Sequence, residues 1–379
     1  MKRKFIAVAD IPSPYRVFLW REVWHQLRER GIDFELHLMS RGDKGRPDSW
    51  RDPKIDYPHR YWKDFGRACY HFNPGMVWHM WRARPDWLFC SSPYYTITGV
   101  CLMTLCRKSC RIAWQETNTK TPGKLDGLIG WFKRFVLLQT HFIGVPGSDA
   151  IRQMSMHQER TKRKMPPCII LPNLIDERRF SPVDATTKSR LKEKMFGVRP
   201  DCKICLIPAR LLAVKGLVPF VDLLTPTMLE GWKIIIIGQG PLRHELLSRV
   251  KARGLSDKIS ILDYMEYVRM PDCYAASDLV LLPSLYDANP LTSVEALHTG
   301  LPLALSCMAG NVEEAITDGK NGWILPVRDS KAFAAVLSDV FSSSSQELAE
   351  KGAISKEENS RFWNSREAVS RFLDGIGAK

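Results

Sequence analysis

The sequence predicts an α/β protein with two domains, each built on a parallel β-sheet that helices cover on both faces. Short apolar runs alternate with helix-compatible stretches along the chain, which is the pattern of such a sheet. The alternation stops in a polar, charge-rich stretch near residues 176–201 and then starts again. A chain of 379 residues also exceeds the size at which one hydrophobic core usually stops growing, so two domains are expected.

The N-terminal half opens with a strand followed by a helix. Residues 5–10 form an apolar run that predicts the strand, and a proline-rich turn leads into a helix that ends near Gly31. The apolar residues at helical spacing are Val17, Trp20, Val23, Trp24 and Leu27. Further strands are predicted at residues 34–39, 87–90, 111–114, 142–145 and 168–171.

The C-terminal half repeats the alternation. Its strands are predicted at residues 204–208, 232–237, 259–262, 279–282, 303–305 and 323–325. Pro241 at the first position and Gly254 past the end bound a helix at residues 242–253. We therefore place the first domain at residues 1–185 and the second at residues 186–356, followed by a C-terminal helix at about residues 357–379.

The composition is that of a folded protein outside the membrane. Hydrophobic residues make up 45% and charged residues 25% of the chain, and no apolar run reaches the roughly 18 to 20 residues of a membrane span. The apolar run at residues 5–10 is too short for a signal peptide, which predicts a cytoplasmic protein. Cys202 and Cys205 have the C-x-x-C spacing, but no second pair accompanies them, so core packing is expected rather than a metal site.

The positive charge lies in the N-terminal half. Residues 1–180 contain 31 Lys and Arg against 17 Asp and Glu, whereas residues 181–379 contain 24 of each kind. A basic half favours an anionic partner, such as lipid headgroups, nucleic acid or a phosphorylated acceptor. A solvated basic surface without a partner is the alternative.

The segment at residues 279–302 combines a strand, a loop carboxylate and the start of a helix. Asn289 is expected to cap this helix and Pro290 to occupy its first position, where no backbone donor is needed. The free amides near Leu291, Thr292 and Ser293 would then point toward the mouth of the sheet. A helix N-terminus of this kind favours phosphate binding.

Four charged side chains accompany this helix. Arg210 and Lys215 follow the strand at residues 204–208, and ligands of open α/β sheets bind beyond the carboxyl ends of strands. Both cations can neutralise the charge that develops on a departing diphosphate. Asp287 lies in the loop and Glu295 on the helix, where a carboxylate can accept hydrogen bonds from vicinal hydroxyls. Each of these residues alone would be interpreted as an ordinary surface residue.

Together these residues resemble glycosyltransferase family 4, whose members are retaining enzymes with the GT-B fold, and the resemblance covers nearly the whole chain. It implies two facing Rossmann-like domains, with a C-terminal helix that crosses back to the first. Asp287 and Glu295 match the family's carboxylate pair, with Asp287 in place of the usual Glu, and Glu295 would bind the ribose hydroxyls. Arg210 and Lys215 match its diphosphate-binding pair. Three further matching segments are residues 234–242, which contain Gly238, and residues 172–176 and 309–313.

The resemblance assigns the donor to the C-terminal domain and the acceptor to the N-terminal one. Many family members have a His after an N-domain strand, but this chain has Gln115 and Glu116 there. Glu116 and Ser13, which lies in the first strand–helix turn, are therefore the candidates for the N-domain side of the site. An ordinary turn is the alternative for Ser13.

The implied activity is retaining transfer of a sugar from a nucleotide-diphosphate sugar to a glycan or lipid-linked acceptor, in cell-surface polysaccharide synthesis. No Asp-x-Asp motif occurs, so neither a metal nor another cofactor is expected. The nucleotide sugar is a substrate.

Three alternatives remain. Gly238-Gln-Gly240 follows a strand as in a dinucleotide-binding oxidoreductase, but Arg243 replaces the third glycine. A nucleotide-sugar epimerase of the same fold and a catalytically silent sugar-binding subunit stay open. No recognised nucleic-acid-binding motif is present, so a nucleic-acid partner is not expected.

Reversible binding to an anionic membrane, at the inner face of the plasma membrane, is a further expectation. Residues 129–135 form an amphipathic segment with Lys133 and Arg134. Nine of the 12 tryptophans also lie in the basic half: Trp20, Trp24, Trp50, Trp62, Trp78, Trp81, Trp87, Trp114 and Trp131. The alternative is that these tryptophans are core residues.

Overall fold

The computed structural model describes residues 2–42, 53–66, 70–120 and 127–379. The chain divides into two compact units, one comprising Met1–Ile175 and Asn364–Lys379, the other Asp176–Trp363. Within the described residues, the first unit contains a seven-stranded sheet and the second a six-stranded sheet, and all paired strands are parallel. The α/β class with two parallel sheets is therefore confirmed.

The first sheet has the strand order β3-β2-β1-β4-β5-β6-β7. Its strands are β1 (Lys4–Ala9), β2 (Asp33–Leu38), β3 (His59–Tyr61), β4 (Trp87–Cys90), β5 (Cys110–Trp114), β6 (Phe142–Val145) and β7 (Cys168–Ile170). The helices of this unit are α1 (Pro14–Glu29), α2 (Pro74–Ala83), α3 (Ile97–Leu105), α4 (Gly127–Leu137), α5 (Ser148–Thr161) and, from the end of the chain, α14 (Ser365–Gly375).

Successive side chains of each strand point to opposite faces of the first sheet, and helices of the first unit pack against both faces. Ile6 and Val8 of β1 share one apolar core with residues from α2, α3, α4 and α5. On the opposite face, Phe89 of β4 contacts Trp20 of α1 and Phe372 of α14, with ring centroids 4.8 and 6.2 Å apart. The last helix thus completes the core of the first unit.

The second sheet has the strand order β10-β9-β8-β11-β12-β13. Its strands are β8 (Lys203–Pro208), β9 (Trp232–Ile237), β10 (Ile259–Leu262), β11 (Leu279–Leu282), β12 (Leu303–Ser306) and β13 (Gly322–Leu325). Its helices are α6 (Ala185–Phe196), α7 (Leu217–Leu223), α8 (Arg243–Ala252), α9 (Met270–Ala275), α10 (Leu291–Thr299), α11 (Val312–Ala315), α12 (Ser330–Ser342) and α13 (Ser345–Glu357). Apolar side chains of β8, β9 and β11 form the centre of its core.

The structure differs from the predicted elements at several places. Strand β3 was not predicted, because it is a three-residue edge strand without a buried side chain. The helix expected at about residues 357–379 is instead a 3-10 turn at Asn359–Trp363 followed by α14, because the Asn364 side chain accepts a hydrogen bond from the Glu367 amide and starts a new helix. Helix α6 lies in the polar, charge-rich stretch at residues 176–201, where no element was predicted, and belongs to the second unit.

Candidate functional site

The candidate site lies where β8 and β11 are adjacent in the second sheet. The chain continues from β8 to β9 on one side and from β11 to β12 on the other. The crevice at such a topological switch point is where ligands of open α/β sheets bind. Backbone hydrogen bonds join the loops at this point: the Leu285 amide donates to the Val214 oxygen at 2.9 Å, and the Leu211 amide to the Gln239 oxygen at 2.9 Å.

Two glycines allow these loops to pack closely. Gly216 has a φ of +67°, and a Cβ atom there would overlap the backbone oxygen of Pro283. Gly238 has a φ of +156°, and a Cβ atom there would overlap the backbone oxygen of Ala209, the residue before Arg210. Because Gly238 has no side chain, the loop after β9 can approach the loop after β8 closely. Gly238 therefore lies near Arg210, another of the predicted site residues.

Lys215 and Asp287 form an ion pair between these loops. The Lys215 Nζ lies 2.5 Å from Oδ2 of Asp287, and the two side chains are 20% and 17% exposed. The Asp287 backbone is fixed as well, since its amide donates to the Met308 oxygen and its oxygen accepts from the Gly310 amide. The structure thus brings together two residues that the sequence predicted separately.

Arg210 lies five positions before Lys215, in the same connection. Its side chain is exposed and forms no ion pair within the described residues. The connection ends in a 3-10 turn, Ala213–Lys215, directly before Gly216. One cation at this edge of the sheet is thus held by a carboxylate, and the other faces solvent.

The start of α10 corrects the predicted cap. The helix begins at Leu291 with Pro290 at the N-cap position and no side-chain cap, so Asn289 lies before the cap and Pro290 is not the first helical residue. The Pro290 oxygen instead accepts hydrogen bonds from the Ser293 hydroxyl at 2.7 Å and from Nδ2 of Asn311 at 3.3 Å. These tertiary contacts replace the local cap.

The first-turn amides of Leu291 and Thr292 have no acceptor within the helix. Both residues are half-buried. The third amide that was expected to be free, that of Ser293, instead donates to the Pro290 oxygen at 3.3 Å. Two amides therefore remain for an anion at this helix end.

Glu295 is a buried carboxyl group in the second turn of α10. Its side chain accepts a hydrogen bond from the Tyr274 hydroxyl at 2.5 Å. Burial raises the pKa of Glu295 to about 7, and the hydrogen bond from Tyr274 and the charge of Arg179 oppose that rise. Glu295 therefore changes protonation near neutral pH.

Tyr274, Tyr267 and Arg179 surround this carboxyl group, and no pattern in the sequence predicted them. The Arg179 guanidinium lies 4.1 Å from the ring centroid of Tyr267, and its Nη2 donates a hydrogen bond to the backbone carbonyl oxygen of Tyr267 at 2.8 Å. Burial raises the pKa values of both tyrosines. No spacing in the sequence links them to Glu295, because the contacts depend on the packing of α9 against α10.

The first unit has a polar cluster at the carboxyl ends of its strands. Nη2 of Arg16 donates to Oε1 of Glu116 at 2.6 Å, and Nδ2 of Asn173 donates to the same oxygen at 3.3 Å. Ser13 is the buried N-cap residue of α1, three positions before Arg16. The predicted Ser13 and Glu116 thus lie at one edge of the first sheet, and Arg16, in the helix that Ser13 precedes, pairs with Glu116.

Residues 190–356, which contain every predicted residue of the second unit, match the family model of glycosyl transferases group 1. This segment is a group 1 glycosyltransferase domain. The predicted resemblance is confirmed at this level, and the finer assignment to family 4 remains a prediction.

Relatives of known activity agree with the domain assignment. The chain is 27% identical over 286 residues to the lipopolysaccharide core mannosyltransferase LpsB of Rhizobium meliloti, covering 73% of this chain and 70% of LpsB. It is 27% identical over 173 residues to an α-1,3-galactosyltransferase of Escherichia coli that acts on GlcNAc-diphosphoundecaprenol, covering 44% of this chain and 43% of that enzyme. Three of the relatives, this galactosyltransferase among them, are matched over only 35% to 43% of their own length.

The fold also matches that of solved structures. Anabaena HepE, solved in complex with UDP and glucose, superimposes with a TM-score of 0.77 at 13% identity, covering 100% of both chains. This likeness confirms the predicted GT-B fold. Within the described residues, no helix has the length and apolar character needed to cross a bilayer, and no group of three or more His, Cys, Asp or Glu side chains is placed to hold a metal ion.

Proposed function

We propose that this protein is a retaining, metal-independent glycosyltransferase that moves a sugar from a nucleotide-diphosphate sugar to a glycan or lipid-linked acceptor. The observation that carries the proposal is the Lys215–Asp287 contact at the switch point of a group 1 domain, beside the free amides of α10. The names of the two curated relatives, a mannosyltransferase of lipopolysaccharide synthesis and a galactosyltransferase with a lipid-diphosphate acceptor, support a role in cell-surface polysaccharide synthesis.

In this proposal the second unit binds the donor. Arg210, Lys215 and the amides of Leu291 and Thr292 neutralise the negative charge that grows on the diphosphate as its bond to the anomeric carbon breaks. The acceptor hydroxyl forms the new bond on the same face of the sugar and gives its proton to the departing diphosphate. Glu295 accepts hydrogen bonds from the ribose hydroxyls. Positive side chains and helix amides take the place of a divalent ion.

The first unit binds the acceptor. Glu116, Asn173 and Arg16 offer a mixed set of acceptors and donors, which suits sugar hydroxyls. We further propose that the protein works in the cytoplasm at the inner face of the plasma membrane, because the first 180 residues hold the whole charge excess.

The decisive experiment is a panel of nucleotide sugars offered to the purified protein. One of them should raise the melting temperature, because a ligand that binds only the native state stabilises it. The same donor should be hydrolysed or transferred with release of nucleoside diphosphate. Stabilisation without any turnover would instead identify a catalytically silent sugar-binding subunit.

A further inference from the structure

Three neighbouring helices of the first unit expose apolar side chains. Helix α3 contacts both α2 and α4. The exposed residues are Trp78 and Trp81 on α2, Ile97 and Leu105 on α3, and Leu128, Ile129, Trp131, Phe132 and Phe135 on α4. Large exposed apolar patches on a soluble protein mark interaction sites. We call the surface formed by α2, α3 and α4 the apolar face.

The core does not account for these side chains. The residues that these helices bury in the core include Met76 and Met80 of α2, Leu102 and Met103 of α3, and Val136 and Leu137 of α4. On the outer side, Trp78 and Trp81 are 61% and 49% exposed. The helices are therefore apolar on both sides, and folding requires only the inner side.

The N-terminal tryptophans divide between the core and this surface. Trp78, Trp81 and Trp131 are exposed on the apolar face, whereas Trp20, Trp87 and Trp114 are buried and Trp24 and Trp62 are half-buried. Trp50 lies outside the described residues. Of the eight tryptophans of the basic half that the structure describes, three are therefore surface residues and five are buried or half-buried.

The charges beside the apolar face are positive. The sequences of α2, α3 and α4 contain no Asp or Glu. Arg82, Arg84, Arg107 and Lys108, at the ends of α2 and α3, are exposed and form no ion pair within the described residues. Cations at helix C-termini also complement the helix dipole, and Nε of Arg107 donates to the Thr104 oxygen. That role does not explain why no acidic residue balances them.

Two adjoining cavities combine these properties. A cavity of about 300 Å³ between α2 and α3 is lined by apolar groups, including Val77, Trp78 and Trp81. A second cavity of about 310 Å³ is lined by Arg84, Arg107 and Lys108. Trp81 and Leu105 line both cavities. An apolar groove therefore leads directly into a basic pocket.

We propose that this surface binds an anionic phospholipid, with the headgroup phosphate in the basic pocket and the acyl chains against the groove, and so docks the protein on a membrane. A ligand that fits both cavities must be amphipathic, with a negative charge at the end of an apolar chain. Nucleic acid offers bases that can stack on a tryptophan, but it has no flexible apolar chain that would fill the groove. The inference rests on the proposed function only in that a lipid-linked acceptor would lie at the same membrane.

Vesicle flotation of the full chain tests this site. The protein should float with phosphatidylcholine vesicles that contain phosphatidylglycerol and not with phosphatidylcholine alone. Binding should weaken as ionic strength rises from about 0.1 M to about 1 M, where the screening length falls from about 10 Å to about 3 Å. Vesicles with brominated acyl chains should quench tryptophan fluorescence, and Trp78→Phe/Trp81→Phe should remove most of that quenching.

Neutralising the pocket with Arg84→Gln/Arg107→Gln/Lys108→Gln should lower partitioning about a hundredfold, since each basic residue near an anionic surface contributes about 1 kcal/mol. The matched control is Lys194→Gln/Lys251→Gln/Lys331→Gln, which makes the same charge change at exposed lysines of the second unit and should leave partitioning unchanged. Trp78→Ser/Trp81→Ser should lower partitioning about tenfold, by the loss of apolar contact.

The outcomes separate this inference from the proposed function. Equal losses in the pocket variant and its control would overturn the pocket, because net charge alone would then explain binding. Competition by soluble glycerol phosphate without vesicle binding would mean a phosphate site and would overturn membrane docking. Concentration-dependent dimers that the tryptophan variant abolishes would identify a protein interface instead. Nucleoside diphosphate binding, measured on the same variants, tests the donor site and should not change in any of these cases.

Discussion

The Lys215 ammonium and the Asp287 carboxylate, 72 positions apart in the sequence, lie 2.5 Å from each other at the mouth of the second sheet. The contact joins the loop after β8 to the loop after β11, and both side chains are largely shielded from solvent. The ammonium group that we propose to bind the diphosphate is thus held in place by a carboxylate. Removing either partner leaves the other charge uncompensated.

Lys215→Ala and Arg210→Ala should each lower turnover by roughly ten- to a thousandfold, because each removes a charge that stabilises the leaving group. Arg210→Ala should not change the free energy of unfolding, since Arg210 is exposed. Steady-state kinetics and urea denaturation measure the two effects. Lys251→Ala, at another exposed lysine of the second unit, is the control. Near-wild-type turnover in both site variants would rule out the proposed site.

The Asp287 variants separate charge from side-chain length. Asp287→Glu keeps the carboxylate and restores the length that is usual in the resembled family, so part of the activity should survive. Asp287→Asn removes the charge that pairs with Lys215 and should destabilise the protein by about 1 to 3 kcal/mol. Complete loss of activity in Asp287→Glu, with the fold intact by circular dichroism, would mean that the site is built around the shorter side chain.

Glu295 should make stability depend on pH. Its pKa rises from the ordinary value of 4.5 to about 7 because it is buried, so between these values the native state binds more protons than the unfolded chain. The free energy of unfolding should therefore fall as pH rises from 4.5 to about 7, by on the order of 3 kcal/mol, and level off above. Glu295→Gln should lose this slope, measured by urea denaturation at about pH 5 and about pH 8. An identical slope in both proteins would contradict a buried, neutral Glu295.

Binding of nucleoside diphosphate is the second measurement on Glu295→Gln. Loss of the carboxylate should weaken binding through the ribose contact. The wild type should also bind less tightly below about pH 7, where Glu295 is protonated. Equal affinity of the variant and the wild type at alkaline pH would show that Glu295 does not contact the ribose.

The close packing of the loops should depend on Gly216. Gly216→Ala places a Cβ against the Pro283 oxygen at a φ of +67°, whereas Gly254 has a nearly equal φ of +66° with open space around it. Gly254→Ala should therefore cost only about 1 to 2 kcal/mol, from the left-handed backbone. Gly216→Ala should cost more and should also weaken nucleotide binding, since the overlap must displace a loop of the site. Equal costs in calorimetry would exclude the steric explanation.

Glu116→Gln tests the first unit. Glu116 accepts the hydrogen bond from Arg16 and lies at the carboxyl end of β5, where the acceptor is proposed to bind. The substitution should raise the acceptor KM at least several-fold and leave nucleoside diphosphate affinity unchanged. Glu159→Gln, an exposed residue of α5, controls for the loss of one negative charge. A change in donor affinity alone would contradict the assignment of Glu116 to the acceptor.

Local patterns in the sequence sufficed to predict the fold, and they also gave the donor-site candidates, whose roles stay a prediction. Buried strands such as β9 and β11 are continuous apolar runs, and their position before charged loops indicates which edge of the sheet holds the site. The predicted N-cap of α10 was wrong because hydrogen bonds formed in the tertiary structure, and not the Asn289 side chain, fix the start of this helix. The Pro290 oxygen, bonded to Ser293 and Asn311, fixes the helix start one residue later than Asn289 would.

The sequence by itself determined the alternation of strands and helices, the charged residues near β8 and β11, and the basic first half, because each is a property of neighbouring residues. Only the tertiary structure decided which side chains contact one another. It paired Lys215 with Asp287, buried Glu295 against Tyr274, and joined Arg16 to Glu116. It also separated the tryptophans of the core from those of the apolar face. These outcomes depend on how helices pack on a sheet, since burial and contact are set by residues far apart in the chain.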